Sequence, residues 1–263
     1  MSRQVVALDF DGVIADSAVE SFVVALRTYA RLRPDGRLAR QAARLENAAV
    51  DLIRGDPVYE NFLEMMPLGN RAEDFGVALS LLEGHERVED QAGYDRAREA
   101  EPMEFLADFH ELFYRARTDL QQADPRGWSS WIEPYEHFVR LLRPYSSEVT
   151  LCIATAKDRR SVEILLERYG LEDLFPAERV IDKEHGRSKQ AHLETLRERL
   201  EVDFSSITFV DDKYNHLEDV ALLGVRCVLA TWGYNGPREH CLAQQAGYAV
   251  CDLDQAREVV FPL

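Results

Sequence analysis

One short run constrains this chain more than any other: Val5-Val6-Ala7-Leu8-Asp9-Phe10-Asp11-Gly12-Val13. Its apolar start has the character of a buried strand, and it ends abruptly in two carboxylates and a glycine. Side chains alternate along a strand, so Asp9 and Asp11 share a face if the strand continues. Gly12 lets the chain loop just beyond them. The carboxyl end of a buried strand is where open α/β sheets bind ligands. Like charges crowded there are costly without a compensating cation, and a hard divalent ion with oxygen ligands meets that need. Taken alone, D-x-D-G is equally compatible with an acidic turn. The rest of the chain decides between the two.

Two styles of sequence follow. From Ser17 to about Gly127 the pattern is helical almost throughout, with stretches near 22–32, 37–54, 57–66, 71–84 and 102–121. Ser17-Ala18-Val19-Glu20 has the form of a capping box, with Ser17 as N-cap and Glu20 reaching back. Met65 and Met66 read as helical core. After Trp128 the style changes. A helix near 129–143 is expected to end at Pro144. Then Val149–Ala154, Ile207–Val210 and Val225–Leu229 read as short buried strands, separated by helical patterns at 159–169, 189–200 and 214–223. Strands alternating with helices imply βαβ units and a parallel sheet. The expected architecture is an α/β, Rossmann-like core from residues 1–16 and 128–263. An all-helical domain, 17–127, is inserted after the first strand. Trp128 and Trp131 are expected to pack where the insertion rejoins the sheet.

Length and charge bound the function. The 263 residues, 46% of them hydrophobic, suffice for one large domain or two smaller ones. The formal net charge of −16 disfavours nucleic acid and anionic membrane surfaces as partners. Small anionic substrates remain open, because a metal ion or a few arginines reverse a local field. The four cysteines, Cys152, Cys227, Cys241 and Cys251, form no C-x-x-C pair, and Cys152 and Cys227 lie in apolar runs. That argues for a reducing compartment. No apolar run approaches the ~18 residues of a spanning helix, and no signal-type segment opens the chain. The expectation is a soluble, cytoplasmic protein.

The later strands also end in reactive residues. Thr155 follows the Val149–Ala154 strand, Asp211-Asp212 close the Ile207–Val210 strand, and Ser188-Lys189-Gln190 open a helix. In a parallel sheet these ends lie on one edge. The topology therefore collects Asp9, Asp11, Thr155, Asp211 and Asp212 in one crevice, with Lys189 joining from its helix start. Four carboxylates can hold Mg²⁺. Lys189 and Thr155 can support a phosphoryl group, one carboxylate can attack phosphorus, and its neighbour can move a proton. Lys157 and Lys183 rival Lys189; Lys157 is read as belonging to the start of the next helix. The histidines show no metal-ligand spacing, and His110, His137 and His192 read as helix-surface residues.

These motifs, in this order, resemble the haloacid dehalogenase superfamily of phosphohydrolases. Asp9–Val13 with Asp16-Ser17 resembles its first motif, the Thr155 strand its second, Lys189 its third, and Asp211-Asp212 with Gly224 its fourth. The resemblance implies a nucleophilic and metal-binding Asp9. It implies an Asp11 that is general acid/base and offers its backbone carbonyl to Mg²⁺. Thr155 is then a phosphoryl ligand, and Lys189 neutralises charge shared by Asp9 and the phosphoryl group. Counting back from Gly224 makes Asp212 the direct metal ligand and Asp211 its neighbour, with Asn215 able to sit behind them.

Within the family, the insertion resembles the helical cap of the subgroup containing phosphoglycolate phosphatase, β-phosphoglucomutase, phosphonatase and dehalogenases. Asp11 favours phosphoryl transfer over dehalogenation. All four lysines, Lys157, Lys183, Lys189 and Lys213, fall in the core, which disfavours a phosphonatase with a cap lysine. Thr231-Trp232-Gly233-Tyr234-Asn235 resembles a segment of phosphoglycolate phosphatases. Arg27, Arg31 or Arg71 of the cap could meet an anionic substrate end. The expectation is a Mg²⁺-dependent phosphatase for a small phosphomonoester, working through an aspartyl-phosphate. A phosphomutase and a non-catalytic phospho-ligand binding protein are the alternatives.

Overall fold

The computed structural model describes residues 4–45, 48–69, 71–186 and 188–261. They divide into two compact units: Met1–Asp16 with Glu133–Leu263, and Ser17–Ile132.

The first unit is built on a parallel sheet of β1 (Val5–Leu8), β4 (Thr150–Ala154), β5 (Val180–Ile181), β6 (Ile207–Asp211), β7 (Arg226–Ala230) and β8 (Ala249–Cys251). The strand order is β5-β4-β1-β6-β7-β8. β1 lies centrally, with Val5 opposite Thr150 on one side and Ile207 on the other. Every residue of β1 is buried, which is why its sequence is an unbroken apolar run rather than an alternating one. A small antiparallel ribbon joins β2 (Ala15–Asp16) to β3 (Glu133–Pro134), where the chain leaves and re-enters this unit. The helices are α9 (Glu136–Tyr145), α10 (Arg159–Tyr169), α11 (Lys189–Leu200), α12 (Tyr214–Ala221), α13 (Pro237–Gln245) and α14 (Ala256–Val260). One face of the sheet packs Ala7, Cys152, Phe209 and Leu229 against Leu193, Leu196, Leu217 and Ala243 of these helices. Cys152, Cys227 and Cys251 are buried free thiols, and Cys241 is exposed.

The second unit is helical: α1 (Ala18–Leu32), α2 (Arg37–Leu45), α3 (Val50–Arg54), α4 (Pro57–Met65), α5 (Ala72–Glu83), α6 (Gln91–Ala100), α7 (Met103–Ala123) and α8 (Pro125–Ser129). α1 packs on α2, α5 and α7. An aromatic chain runs through its core, from Tyr59 and Phe22 through Phe62 and Phe75 to Phe113 and Phe109. Met65 and Met66 are buried in the same unit. Among the described residues no helix is long and apolar enough to cross a membrane.

Several local expectations need correction. The helix expected over 37–54 is two helices, because the backbone is extended at Ala49; residues 46–47 lie outside the described set. The helix expected over 129–143 starts only at Glu136, as α9; Ser129 ends α8, and β3 lies between the two. Pro144 does not stop α9 but sits inside its last turn, where it leaves Arg140 O without its intrahelical donor one residue before the helix ends. Ser17 makes no side-chain cap, and Glu20 does not reach back to it. Instead Glu20 accepts from Arg117 Nε at 2.7 Å, Arg117 Nη2 at 2.8 Å and Trp128 Nε1 at 2.9 Å. Trp128 is thus interior to the helical unit. His192 is 1% exposed rather than on a helix surface, because its face of α11 packs on the preceding loop and its Nε2 meets Gly186 O at 2.9 Å.

Candidate active site

The loop after β1 is set by its backbone. Asp9 N–H donates to Val210 O at 2.9 Å, continuing the pairing with β6 to the edge of the sheet. Gly12 then adopts φ +84°, which L side chains rarely adopt. A Cβ there would lie 2.3 Å from the Asp212 carboxyl carbon, so only glycine lets the first loop close on Asp212.

Asp9 is 6% exposed. Its Oδ1 accepts from Phe10 N–H at 2.7 Å and from Lys189 Nζ at 2.8 Å. Lys189 Nζ also reaches Asp211 Oδ2 at 3.1 Å and Ala154 O at 2.9 Å. All three ammonium hydrogens are used. Ser188 caps the start of α11 by accepting from Ala191 N–H, which fixes Lys189 at the first helical position. Burial works against the Lys189 charge, but Asp211 and Asp9 outweigh it and raise its pKa. Burial raises the Asp9 carboxyl above the ordinary range even against Lys189. Burial also opposes the Asp211 charge, yet Lys189 and His216 hold that carboxyl well below the ordinary range.

Asp211 accepts from Lys213 N–H at 2.9 Å, and His216 Nδ1 lies 3.1 Å from both of its oxygens. Asp9, Asp211 and His216 offer ligand atoms within 4.8 Å of one another. An ionised carboxylate only accepts, so His216 Nδ1 carries the hydrogen of that contact. Asp212 is fully buried. Its Oδ2 accepts from Tyr234 N–H at 2.6 Å, whereas its Oδ1 is buried with no hydrogen-bond partner. Burial, then the Asp211 charge, push the Asp212 carboxyl well above the ordinary range.

Thr155 ends the β4 segment and is buried. Its Oγ1 accepts from Lys157 N–H at 3.1 Å, which leaves the hydroxyl hydrogen to donate. Lys157 Nζ reaches Asp11 Oδ1 at 2.8 Å, with the ammonium fully buried and the Asp11 side chain 31% exposed. All six residues singled out from sequence, Asp9, Asp11, Thr155, Lys189, Asp211 and Asp212, therefore stand at the carboxyl ends of β1, β4 and β6 or at the start of α11. Lys183 pairs instead with Glu184 at 3.1 Å. Asn215 Oδ1 accepts from His216 N–H at 3.0 Å.

Sequence reasoning missed Lys157 as a partner of Asp11, His216 as a partner of Asp211, and the loop 231–236 as part of the site. The first two had faint signals, a lysine two residues after Thr155 and a histidine one turn beyond the acidic pair. In the loop, Trp232 Nε1 donates to Val13 O at 3.1 Å and Tyr234 OH to Asp16 Oδ1 at 3.1 Å.

The family follows from a match to residues 4–218, by the sequence model of the haloacid dehalogenase-like hydrolases. The chain belongs to that family. No curated protein matches the sequence. Solved structures do. A candidate phosphoglycolate phosphatase from Lactobacillus delbrueckii subsp. bulgaricus aligns over 100% of both chains, at 13% identity and a TM-score of 0.69. A predicted phosphoglycolate phosphatase from Haemophilus somnus covers 97% of this chain and 96% of its own, at 14% identity and 0.62. A predicted phosphatase from Clostridium acetobutylicum covers 100% of both, at 14% and 0.59. At these identities the likeness is one of fold. The α/β fold of this hydrolase family, with its six-stranded parallel sheet, is the one described above.

Proposed function

We propose that this hydrolase is a Mg²⁺-dependent phosphatase that cleaves a small phosphomonoester through an aspartyl-phosphate on Asp9. The observation that carries the reading is the state of the Asp9 carboxylate. Both of its hydrogen bonds fall on Oδ1, so Oδ2 is the oxygen left to attack. Lys189 stands where charge shared between Asp9 and a phosphoryl group collects.

The donor set fits a hard cation. Asp212 Oδ1 is a buried carboxylate oxygen with no partner, an arrangement that costs several kcal/mol on the order of a lost charged hydrogen bond. Asp9, Asp212 and the main-chain carbonyl of Asp11 would hold the ion. Asp211, already compensated by Lys189 and His216, stands behind them. Mg²⁺, when bound, supplies Lewis-acid stabilisation of phosphoryl charge.

The protein's own residues do the rest. Thr155 donates its hydroxyl hydrogen to a phosphoryl oxygen. A lone pair on Asp9 Oδ2 forms the bond to phosphorus as the ester P–O bond breaks, and the leaving oxygen takes a proton from Asp11. Lys157, already 2.8 Å from Asp11 Oδ1, stabilises the ionised form that this transfer leaves, and Asp11 then takes a proton from water. The water oxygen attacks phosphorus, the Asp9–phosphorus bond breaks, and inorganic phosphate leaves. The phosphatase descriptions of structurally similar proteins support this reading. We assign the enzyme to a reducing, cytoplasmic compartment on its free thiols Cys152, Cys227, Cys241 and Cys251.

The test is phosphate release from a panel of phosphomonoesters with Mg²⁺, with EDTA and with Asp9→Asn. Turnover is expected with Mg²⁺ alone, and Asp9→Asn should lower kcat by about 10⁴-fold or more while leaving the fold intact. Full activity in Asp9→Asn would overturn the mechanism. Exchange of phosphate between sugar positions without release would favour the mutase.

A further inference from the structure

We infer that Asn235, locked by His240, is a positioning residue that fixes which oxygen of Asp212 faces a bound cation. The inference rests on the proposed reading of the Mg²⁺ site. Its origin is the loop between β7 and α13, which the family motifs do not include.

The geometry of Asn235 leaves it no freedom. Its Nδ2 donates to Asp212 O at 2.9 Å and to Ala230 O at 2.8 Å. Those carbonyls belong to the ends of two adjacent strands, Asp212 directly after β6 and Ala230 at the end of β7. A carbonyl can only accept, so the amide nitrogen must face both and Oδ1 must face the other way. Oδ1 lies 2.6 Å from His240 Nε2, and it too can only accept. His240 therefore carries its hydrogen on Nε2, and α13 holds the amide in one orientation. Both amide hydrogens and the amide oxygen are satisfied at once.

This brace sets the spacing of the two strand ends, and the residues beside it act on Asp212. Tyr234 N–H, one residue before Asn235, donates to Asp212 Oδ2 at 2.6 Å. Gly233, one residue earlier, packs so closely that a Cβ would lie 2.3 Å from Asp212 Cβ and 2.4 Å from Gly12 O. The consequence is an asymmetric carboxylate. Oδ2 is committed to a backbone amide, and Oδ1 is left buried without a partner. Asp212 is thus arranged to give a cation one oxygen rather than two. Groups that hold a ligating carboxylate from behind tune affinity without touching the ion.

The experiment is calorimetric titration of Mg²⁺ into the full chain, for wild type, Asn235→Leu, His240→Phe and Asp212→Asn, with thermal unfolding in EDTA recorded in parallel. Asn235→Leu keeps the branched heavy-atom shape but loses all three hydrogen bonds, and Kd for Mg²⁺ is expected to rise about 10–100-fold. His240→Phe removes only the lock on Oδ1, and a smaller rise of the same sign is expected. A folded Asn235→Leu with wild-type Kd, beside an Asp212→Asn that no longer binds, would overturn the brace while keeping the metal site. Wild-type Mg²⁺ affinity in Asp212→Asn would overturn both. If Asn235→Leu does not fold, an unchanged Kd in His240→Phe overturns the inference.

Discussion

The two units bury charge in opposite ways. In the helical unit, Glu20 is fully buried and Arg117 5% exposed, and they form a two-pronged pair completed by the Trp128 indole N–H. The Arg117 guanidinium also lies 4.7 Å from the Phe113 ring centre. In the sheet unit, Asp9, Asp211 and Asp212 crowd one edge, and Lys189 serves two of them while Asp212 keeps an unpartnered oxygen. The first set is closed, with carboxylate and guanidinium matched. The second is open toward a further positive charge. A closed set is a structural joint; an open one is arranged around something that arrives. The joint also has a place in the chain. Glu20 lies near the start of α1 and Trp128 in α8, so it ties the first and last helices of the unit together.

The largest expected effect breaks the closed set. Arg117→Met strands a carboxylate that has no access to water, and should lower the unfolding free energy by about 3–5 kcal/mol. Adding Glu20→Leu removes the stranded charge and should recover most of that loss, short of the Trp128 N–H left without its acceptor. Urea unfolding followed by circular dichroism reads both. A single Arg117→Met variant as stable as wild type would show that this pair does not hold the helices together, and the contrast between the units would fail.

Removing the lysine that pairs with Asp11, beside the open set, should act on turnover instead. Lys157→Met also removes the buried partner of a carboxylate, but Asp11 is about one-third exposed and water can replace the ammonium. Deleting the charge of a fully buried lysine further offsets any cost. The urea midpoint should therefore stay near the wild-type value. Phosphate release should fall by about 100-fold, the lower range for losing an oriented general acid/base. A large stability loss with kcat unchanged would place Lys157 with the structural joint rather than with the site.

The same contrast explains what could be read from sequence. β1, β4, β6 and β7 are buried on both faces, and each announces itself as an apolar run. β5 and β8 lie at the sheet edges and are two and three residues long, too short to carry a period. The acidic residues at strand ends were legible because they interrupt apolar runs. Lys157 was not, because its partner lies 146 residues away and nothing local requires it. Glu20 misled for the opposite reason. Three residues after a serine it satisfies a local rule, and a stronger partner 97 residues on takes it away. Asn235 had a recognisable neighbourhood, but its work is done by amide geometry that only the folded loop displays.

The smallest effect sharpens the distinction, because an unpartnered atom by itself does not make a site. His192 Nδ1 is also buried without a hydrogen-bond partner, three residues along α11 from Lys189. Gly186 O only accepts, so Nε2 carries the hydrogen, and Nδ1, buried with no acceptor for a second one, is the bare nitrogen of a neutral ring. Burial, then the nearby Lys189 charge, push its pKa down to about 4 from 6.5. Between those values the unfolded chain binds a proton that the folded protein refuses. Stability therefore falls as pH drops below 6.5, by about 2 kcal/mol at pH 5 relative to neutrality. His192→Gln can keep the donor to Gly186 O and cannot titrate. Its urea midpoint should differ little from wild type at pH 7.5 and should exceed it at pH 5, the shared carboxylate contribution cancelling in the difference. Parallel pH dependences for the two proteins would mean that His192 takes up a proton in the folded state. The orphan nitrogen beside the active site would then be open in the same sense as Asp212 Oδ1.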